Sequence, residues 1–262
     1  MKSVIWTKSN LVLVTSMMLM LMVGSSATAL AQVGAQKDLT KDEIIQKAKD
    51  AYASLSTYSD EGNVVTTSSG RTSTTAFTIR LSRPNLYRIE WQESSPYFTR
   101  NAAVWSAGQG DFLNLDIGLG AQKQESQDLA IGGATGVSEG TAANIPGTFF
   151  NMMWGGQLNL LPSTERLADE KVGEVECYVL MERTIDRTRT ILIGKQDFLI
   201  HQIRRTTSAE SVKETMDEDA IEHPQIDHTR IKTTAITWVE THSNIVLNQK
   251  FSATDFVPSK VQ

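Results

Sequence analysis

Four histidines and one cysteine are the side chains best suited to chemistry in this 262-residue chain, and their neighbours in sequence decide what each can do. His223 and His228 lie beside Glu222 and Asp227, a composition that suggests a metal site. Their spacing fits no ordinary ligand pattern, and the stretch around them is uniformly polar. His242 precedes Ser243 in a segment that reads as a hairpin turn, and no G-x-S-x-G nucleophile elbow occurs. His201 falls within an alternating strand pattern. Cys177 alternates with Val175, Val179 and Met181, as a small buried hydrophobe does, and one thiol cannot form an internal disulfide. Asp217, Glu218 and Asp219 form a like-charge run suited to a solvated surface. No glycine-rich phosphate loop follows a strand. These residues imply no catalytic group, no metal and no cofactor, so the expectation is a protein that is not an enzyme.

The apolar residues are more informative. Phe149, Phe150, Met152, Met153 and Trp154 crowd into six positions between Gly147 and Gly155. A short helix of that composition is apolar nearly all round, so neither face wants water. These five either line a groove or pack as core, and methionine adapts well to a ligand of variable shape. Ile79, Leu81, Trp91, Trp105, Leu113 and Leu115 lie on expected strands, where they could form the floor of such a groove or simply the core. A buried methylene is worth about 0.8 kcal/mol, so an apolar groove needs no directional chemistry to bind.

The elements that position these residues are mostly strands. Thr40 and Glu43 fit a capping box, and Ile44, Ile45, Ala48, Tyr52 and Leu55 recur at helical spacing behind it. Period-2 alternation then marks 72–81, 86–91, 111–117, 174–182, 187–193, 199–206, 230–240 and 245–251, with one face buried and one wet. Turn residues at Asp186-Arg187, Gly194–Asp197 and Ser243-Asn244 imply hairpins in an antiparallel meander. A short helix is expected at 125–131 and another after Pro146, while 208–228 reads as an acidic solvated loop.

The N-terminus has the form of an export signal. Lys2 and Lys8 precede the apolar run 11–23, and Ala29-Leu30-Ala31 completes an A-x-A site, so cleavage is expected after Ala31. About 230 residues then suit one domain over 32–262. The formal charge of −5 becomes −7 without Lys2 and Lys8, from 23 basic and 30 acidic residues. An acidic chain without basic clusters is poorly suited to nucleic acid.

Several segments resemble one family. The first helix, the stretch 58–67, the strand ending Leu81-Ser82-Arg83-Pro84-Asn85-Leu86-Tyr87-Arg88, the paired strands Ile191–Arg204 and the closing Phe251–Pro258 are similar to the LolA-like periplasmic lipoprotein carriers. The resemblance implies a mainly β (α+β) fold. It would be an unclosed antiparallel β-barrel, or half-barrel, covered by the N-terminal helix and short lid helices. It implies a periplasmic, monomeric, non-enzymatic carrier that holds acyl chains of lipoprotein or lipid, between an inner-membrane donor and an outer-membrane acceptor. It assigns Arg83 to the rim as a lid latch, bonding to lid backbone carbonyls. The stretches 118–147 and 208–228 are longer than such a carrier needs. The alternative is an envelope sensor of lipid or lipoprotein; such sensors usually carry a second domain after the cup, for which little chain follows Pro258.

Overall fold

The computed structural model describes residues 38–95, 98–115, 117–153, 156–222 and 233–258. The expected leader over 1–31, Trp154, His223 and His228 lie outside them. Helix α1 (Lys41–Ser54) begins with the expected capping box: Thr40 Oγ1 accepts from the Glu43 amide, and the Glu43 carboxylate accepts from the Thr40 amide at 2.8 Å. Its buried stripe is Ile44, Ala48 and Tyr52, one residue per turn, so the helix lies on the sheet along one side.

That sheet has eleven antiparallel strands. In chain order they are β1 (Thr57–Ser68), β2 (Arg71–Ser82), β3 (Leu86–Ser94), β4 (Thr99–Ser106), β5 (Asp111–Asn114), β6 (Gln122–Gln124), β7 (Glu165–Val172), β8 (Val175–Arg183), β9 (Arg187–Gly194), β10 (Ile200–Thr207) and β11 (Ile236–Leu247). The spatial order is β6-β5-β4-β3-β2-β1-β11-β10-β9-β8-β7. Two meanders are thus joined where the last strand pairs with the first. The terminal strands β6 and β7 do not pair, so the sheet is the expected half-barrel. Its edges are poor templates for further pairing: β6 is three residues long, and β7 is charge-rich and carries a bulge between Leu167 and Glu170.

Helices α2 (Gln127–Thr135) and α3 (Thr141–Phe150) share the inner face with α1. Ser126 caps α2 by accepting from the Leu129 amide at 3.2 Å. Strand parity sorts the two faces. Phe77, Ile79 and Leu81 on β2 face Trp91, Ile89 and Tyr87 on β3, and Val104 on β4 faces Leu113 on β5. All belong to one core with Tyr52, Ile145 and Phe149 from the helices. The outer face has its own small cluster of Cys177, Val179 and Leu192. Burial raises the Cys177 thiol to about 11, consistent with its reading as a small hydrophobe.

Four sequence expectations are corrected. The stretch 208–228 is not a loop: α4 (Ala209–Glu222) occupies most of it, started by Ser208 Oγ, which accepts from the Ser211 amide. The lid helix does not follow Pro146 but contains it, since the small residues before it extend α3 back to Thr141. Asn151, at φ 55°, ends that helix in the left-handed region. Strand β5 stops at Asn114, and Ile117 is exposed. Ser243-Asn244 is not a hairpin turn. β11 runs straight through it, and Asn244 (φ 52°) forms a bulge where the β1 register shifts between Ser59 and Glu61.

One close approach fixes the centre of the sheet. Gly62 on β1 lies between Phe77 on β2 and His242 on β11. With no side chain at Gly62, those two rings meet above it at 5.3 Å. A Cβ there would stand 2.1 Å from the Thr241 carbonyl oxygen and 2.3 Å from the Phe77 ring. Gly62→Ala is therefore expected to lower stability by about 1–3 kcal/mol in urea unfolding. An unchanged midpoint would show that the strands are not pinched there.

Candidate functional site

The inner face is apolar under α2 and the C-terminal half of α3, and ionic under the rest of α3. On the apolar side, Ile79, Leu81 and Trp91 are buried floor residues, as is Leu113, with Leu115 partly buried beside them. The Trp91 indole also donates to the Val137 carbonyl at 2.9 Å, tying the α2–α3 junction to the floor. Phe149 is fully buried, Met152 is buried, and Phe150 is half-buried against Tyr87.

Two of the expected lining residues lie elsewhere. Trp105 pairs with Arg88 on β3 and Phe112 on β5, one residue out of phase with the inward Val104. It therefore sits on the outer face, stacked on Phe112 at 5.5 Å. Met153 is 99 % exposed, because α3 has already ended and the chain turns outward.

Arg83 stands at the rim. Its Nε donates to the Leu55 carbonyl at 2.9 Å, and its Nη2 donates to Tyr52 O at 3.3 Å and Phe149 O at 2.5 Å. The guanidinium also lies 4.5 Å from the centre of the Phe149 ring. One side chain thus joins the ends of α1 and α3, using the fixed fork of donors that only arginine offers.

The ionic side was not legible in the sequence. Asp60 on β1 and Glu240 and His242 on β11 point inward, and all three side chains are fully buried. His242 Nδ1 lies 2.7 Å from Asp60 Oδ2, and His242 Nε2 lies 3.0 Å from Glu240 Oε1. The Tyr58 hydroxyl donates to the same Asp60 oxygen at 2.7 Å. Asn144 of α3 sits over this cluster. Its Nδ2 donates to Glu240 Oε2 at 2.6 Å, and its Oδ1 accepts from Arg205 Nη2 and Gln157 Nε2, each at 2.8 Å. Arg205 lies 4.4 Å over the Trp238 ring. Gln157 also accepts from Arg189, which is paired with Glu182.

The imidazole is held charged. Burial alone would push His242 down, but Asp60 and Glu240, one at each ring nitrogen, more than reverse this and raise it to about 10. His201, at the start of β10, pairs with Asp197 at 2.9 Å beside a pocket of about 330 Å³ whose wall also includes His242. Among the described residues no group of three or more histidine, cysteine or acidic side chains could hold a metal ion.

No family model matches the sequence, and no curated protein matches it. Solved structures are similar to it in architecture. A DUF1329 family protein from Desulfovibrio piger is 13 % identical over 84 % of this chain and 98 % of its own, with a TM-score of 0.36. A LolA superfamily protein from Nitrosomonas europaea is 10 % identical over 84 % and 99 %, with a TM-score of 0.33. LprF from Mycobacterium bovis is 8 % identical over 80 % and 93 %, with a TM-score of 0.42. Identities and TM-scores this low assign no residue role.

A raised folded pKa fixes the sign of the pH dependence. The contribution of His242 is complete below its ordinary value near 6.5 and is lost as pH rises towards 10. Stability should fall by at most about 1.4 kcal/mol per pH unit across that window from this group. Imidazole nitrogen NMR at pH 8.5 should show one histidine still doubly protonated, with its signal absent in His242→Gln. Four neutral rings at that pH would refute the charged cluster.

Proposed function

We propose that this protein is a non-enzymatic periplasmic carrier or binder of acyl chains, from lipid or lipoprotein, and that α3 is the lid over the site. The observation that carries this reading is the attachment of α3. It covers an apolar floor, yet its last turn is held outside the helix by one arginine acting on a backbone carbonyl and one amide, that of Gln157, on the Thr148 hydroxyl at 3.0 Å. Such contacts can be broken and remade without disturbing the sheet.

In the closed arrangement Phe149 and Ile145 occupy the floor themselves. Hydrocarbon enters when α3 lifts and an acyl chain replaces these side chains on Ile79, Leu81, Ile89 and Trp91. The exchange is between apolar surfaces, so its net cost is small compared with the gross value of burying a long chain. Arg83 sets the balance, because its guanidinium must leave the Phe149 carbonyl and ring before the lid can move. The resemblance of the Leu81–Arg88 segment to the lipoprotein carriers supports the same assignment, and the export signal expected over 1–31 supports a periplasmic address.

The test is exchange of a fluorescent fatty-acyl probe. Arg83→Leu should speed uptake and release by about tenfold, as expected for loss of roughly 1.4 kcal/mol of latch energy. Probe that never binds, with the wild type folded and monomeric, would remove the carrier reading. Binding with unchanged exchange rates in Arg83→Leu would remove the latch alone.

A further inference from the structure

We infer that Glu240 and Arg205 form a seat for an amide group, so that the preferred cargo is an acyl chain carrying an amide next to its hydrocarbon. In the closed state the seat holds the carboxamide of Asn144. This inference rests on the carrier reading and names the chemistry its site selects.

When α3 lifts, Asn144 leaves with it, while Glu240 and Arg205 stay with β11 and β10. Glu240 is then a buried carboxylate that has lost its 2.6 Å donor, and Arg205 has lost its 2.8 Å acceptor. Glu240 Oε1 stays in charge contact with His242 Nε2 at 3.0 Å without a well-directed hydrogen bond, and Asp60 holds the other ring nitrogen at 2.7 Å, so the cluster offers the freed oxygen no donor. A ligand that is only hydrocarbon leaves the Glu240 oxygen without a donor and Arg205 with only the long 3.4 Å bond to Gln157 Oε1. An amide repairs both at once, its N–H donating to Glu240 and its C=O accepting from Arg205, as Asn144 does. A carboxylate meets Glu240 with like charge, and an ester meets it with a lone pair. The seat also adjoins the hydrocarbon floor. Val64 and Ile203 flank Glu240 on the two neighbouring strands, and both are buried. A chain lying on that floor reaches the seat with its first polar group.

The matched probes are N-methyldodecanamide and methyl dodecanoate, which differ by N–H in place of O. Each competes with the fluorescent acyl probe. The lid is displaced in both complexes, so the ratio of the two affinities isolates the seat from the energetics of opening. The amide should bind at least about tenfold more tightly to the wild type. Asn144→Ala empties the seat of its internal occupant. It should bind both probes more tightly and keep the ratio. Glu240→Gln gains a donor where the wild type can only accept, and should bring the ratio close to one. If that variant fails to fold, the ratios in the wild type and Asn144→Ala decide alone. Equal binding of amide and ester to the wild type overturns the seat while leaving the carrier reading intact. Failure of both to displace a bound acyl probe likewise overturns the seat alone, and failure of the acyl probe itself to bind overturns the two together.

Discussion

Charge placed inside a half-barrel has to be answered from within, and that constraint shapes the inner face. Asp60 and Glu240 are fully buried acids on adjacent strands. Alone they would repel and would ionise only at great cost, since a buried carboxylate loses its water without compensation. His242 stands between them with a ring nitrogen on each, so three expensive groups become a compact alternating row. Gly62 makes the row possible by leaving room for the imidazole and the Phe77 ring above the backbone. Such a row adds little net stability compared with a hydrocarbon core of the same volume. What it adds is selectivity, because a covering element or ligand with the wrong polar pattern leaves charge exposed to apolar surroundings.

Helix α3 meets that demand with one residue. Ala142, Ala143, Ile145 and Phe149 supply apolar surface, and Asn144 supplies the only amide the cluster receives from the helix. Besides the Gln157 amide on Thr148 Oγ1, the helix is held near its start and at its end by unlike means. Near its start, side chains bond to a side chain in a buried setting. At its end, Arg83 bonds to main-chain oxygens at the rim. The rim contact is nearer solvent and cheaper to break, so in the opening proposed for α3 burial would release the C-terminal end first and Asn144 last.

Much of this was readable from residue order, and what was not has a physical explanation. The antiparallel meander followed from strand alternation, because a face must be either wet or dry at every second residue, whereas its unclosed form was implied by the family resemblance. The α1 cap was readable because its partners are three residues apart, while Arg83 was singled out by the resemblance of the Leu81–Arg88 segment alone. Trp105 was misplaced because β4 had no alternation strong enough to set its phase. Five of its eight residues are buried, since Trp105 is covered by Phe112 on the outer face. Ser243-Asn244 has the composition of a turn, and only pairing with β1 makes it a bulge. α4 was missed because acidic composition was weighed above the absence of glycine and proline from Ala209 to Glu222. The ionic cluster was invisible for a different reason. Asp60 and His242 are 182 residues apart, and nothing in either local stretch marks the other.

That separation explains why the cluster sits where it does. β1 and β11 are the first and last strands of the chain, and their pairing joins the two meanders into one sheet. Asp60 belongs to one strand, and Glu240 and His242 to the other. The row therefore forms only when the joint closes in register, since a shift of one residue would put Glu240 and His242 on the face opposite Asp60. A charged triad that is costly when mispaired penalises every wrong register more severely than apolar residues could. Glu240, proposed as one half of the amide seat, belongs to this triad as well, which makes the joint between the two meanders the place where fold and the proposed selectivity depend on one another.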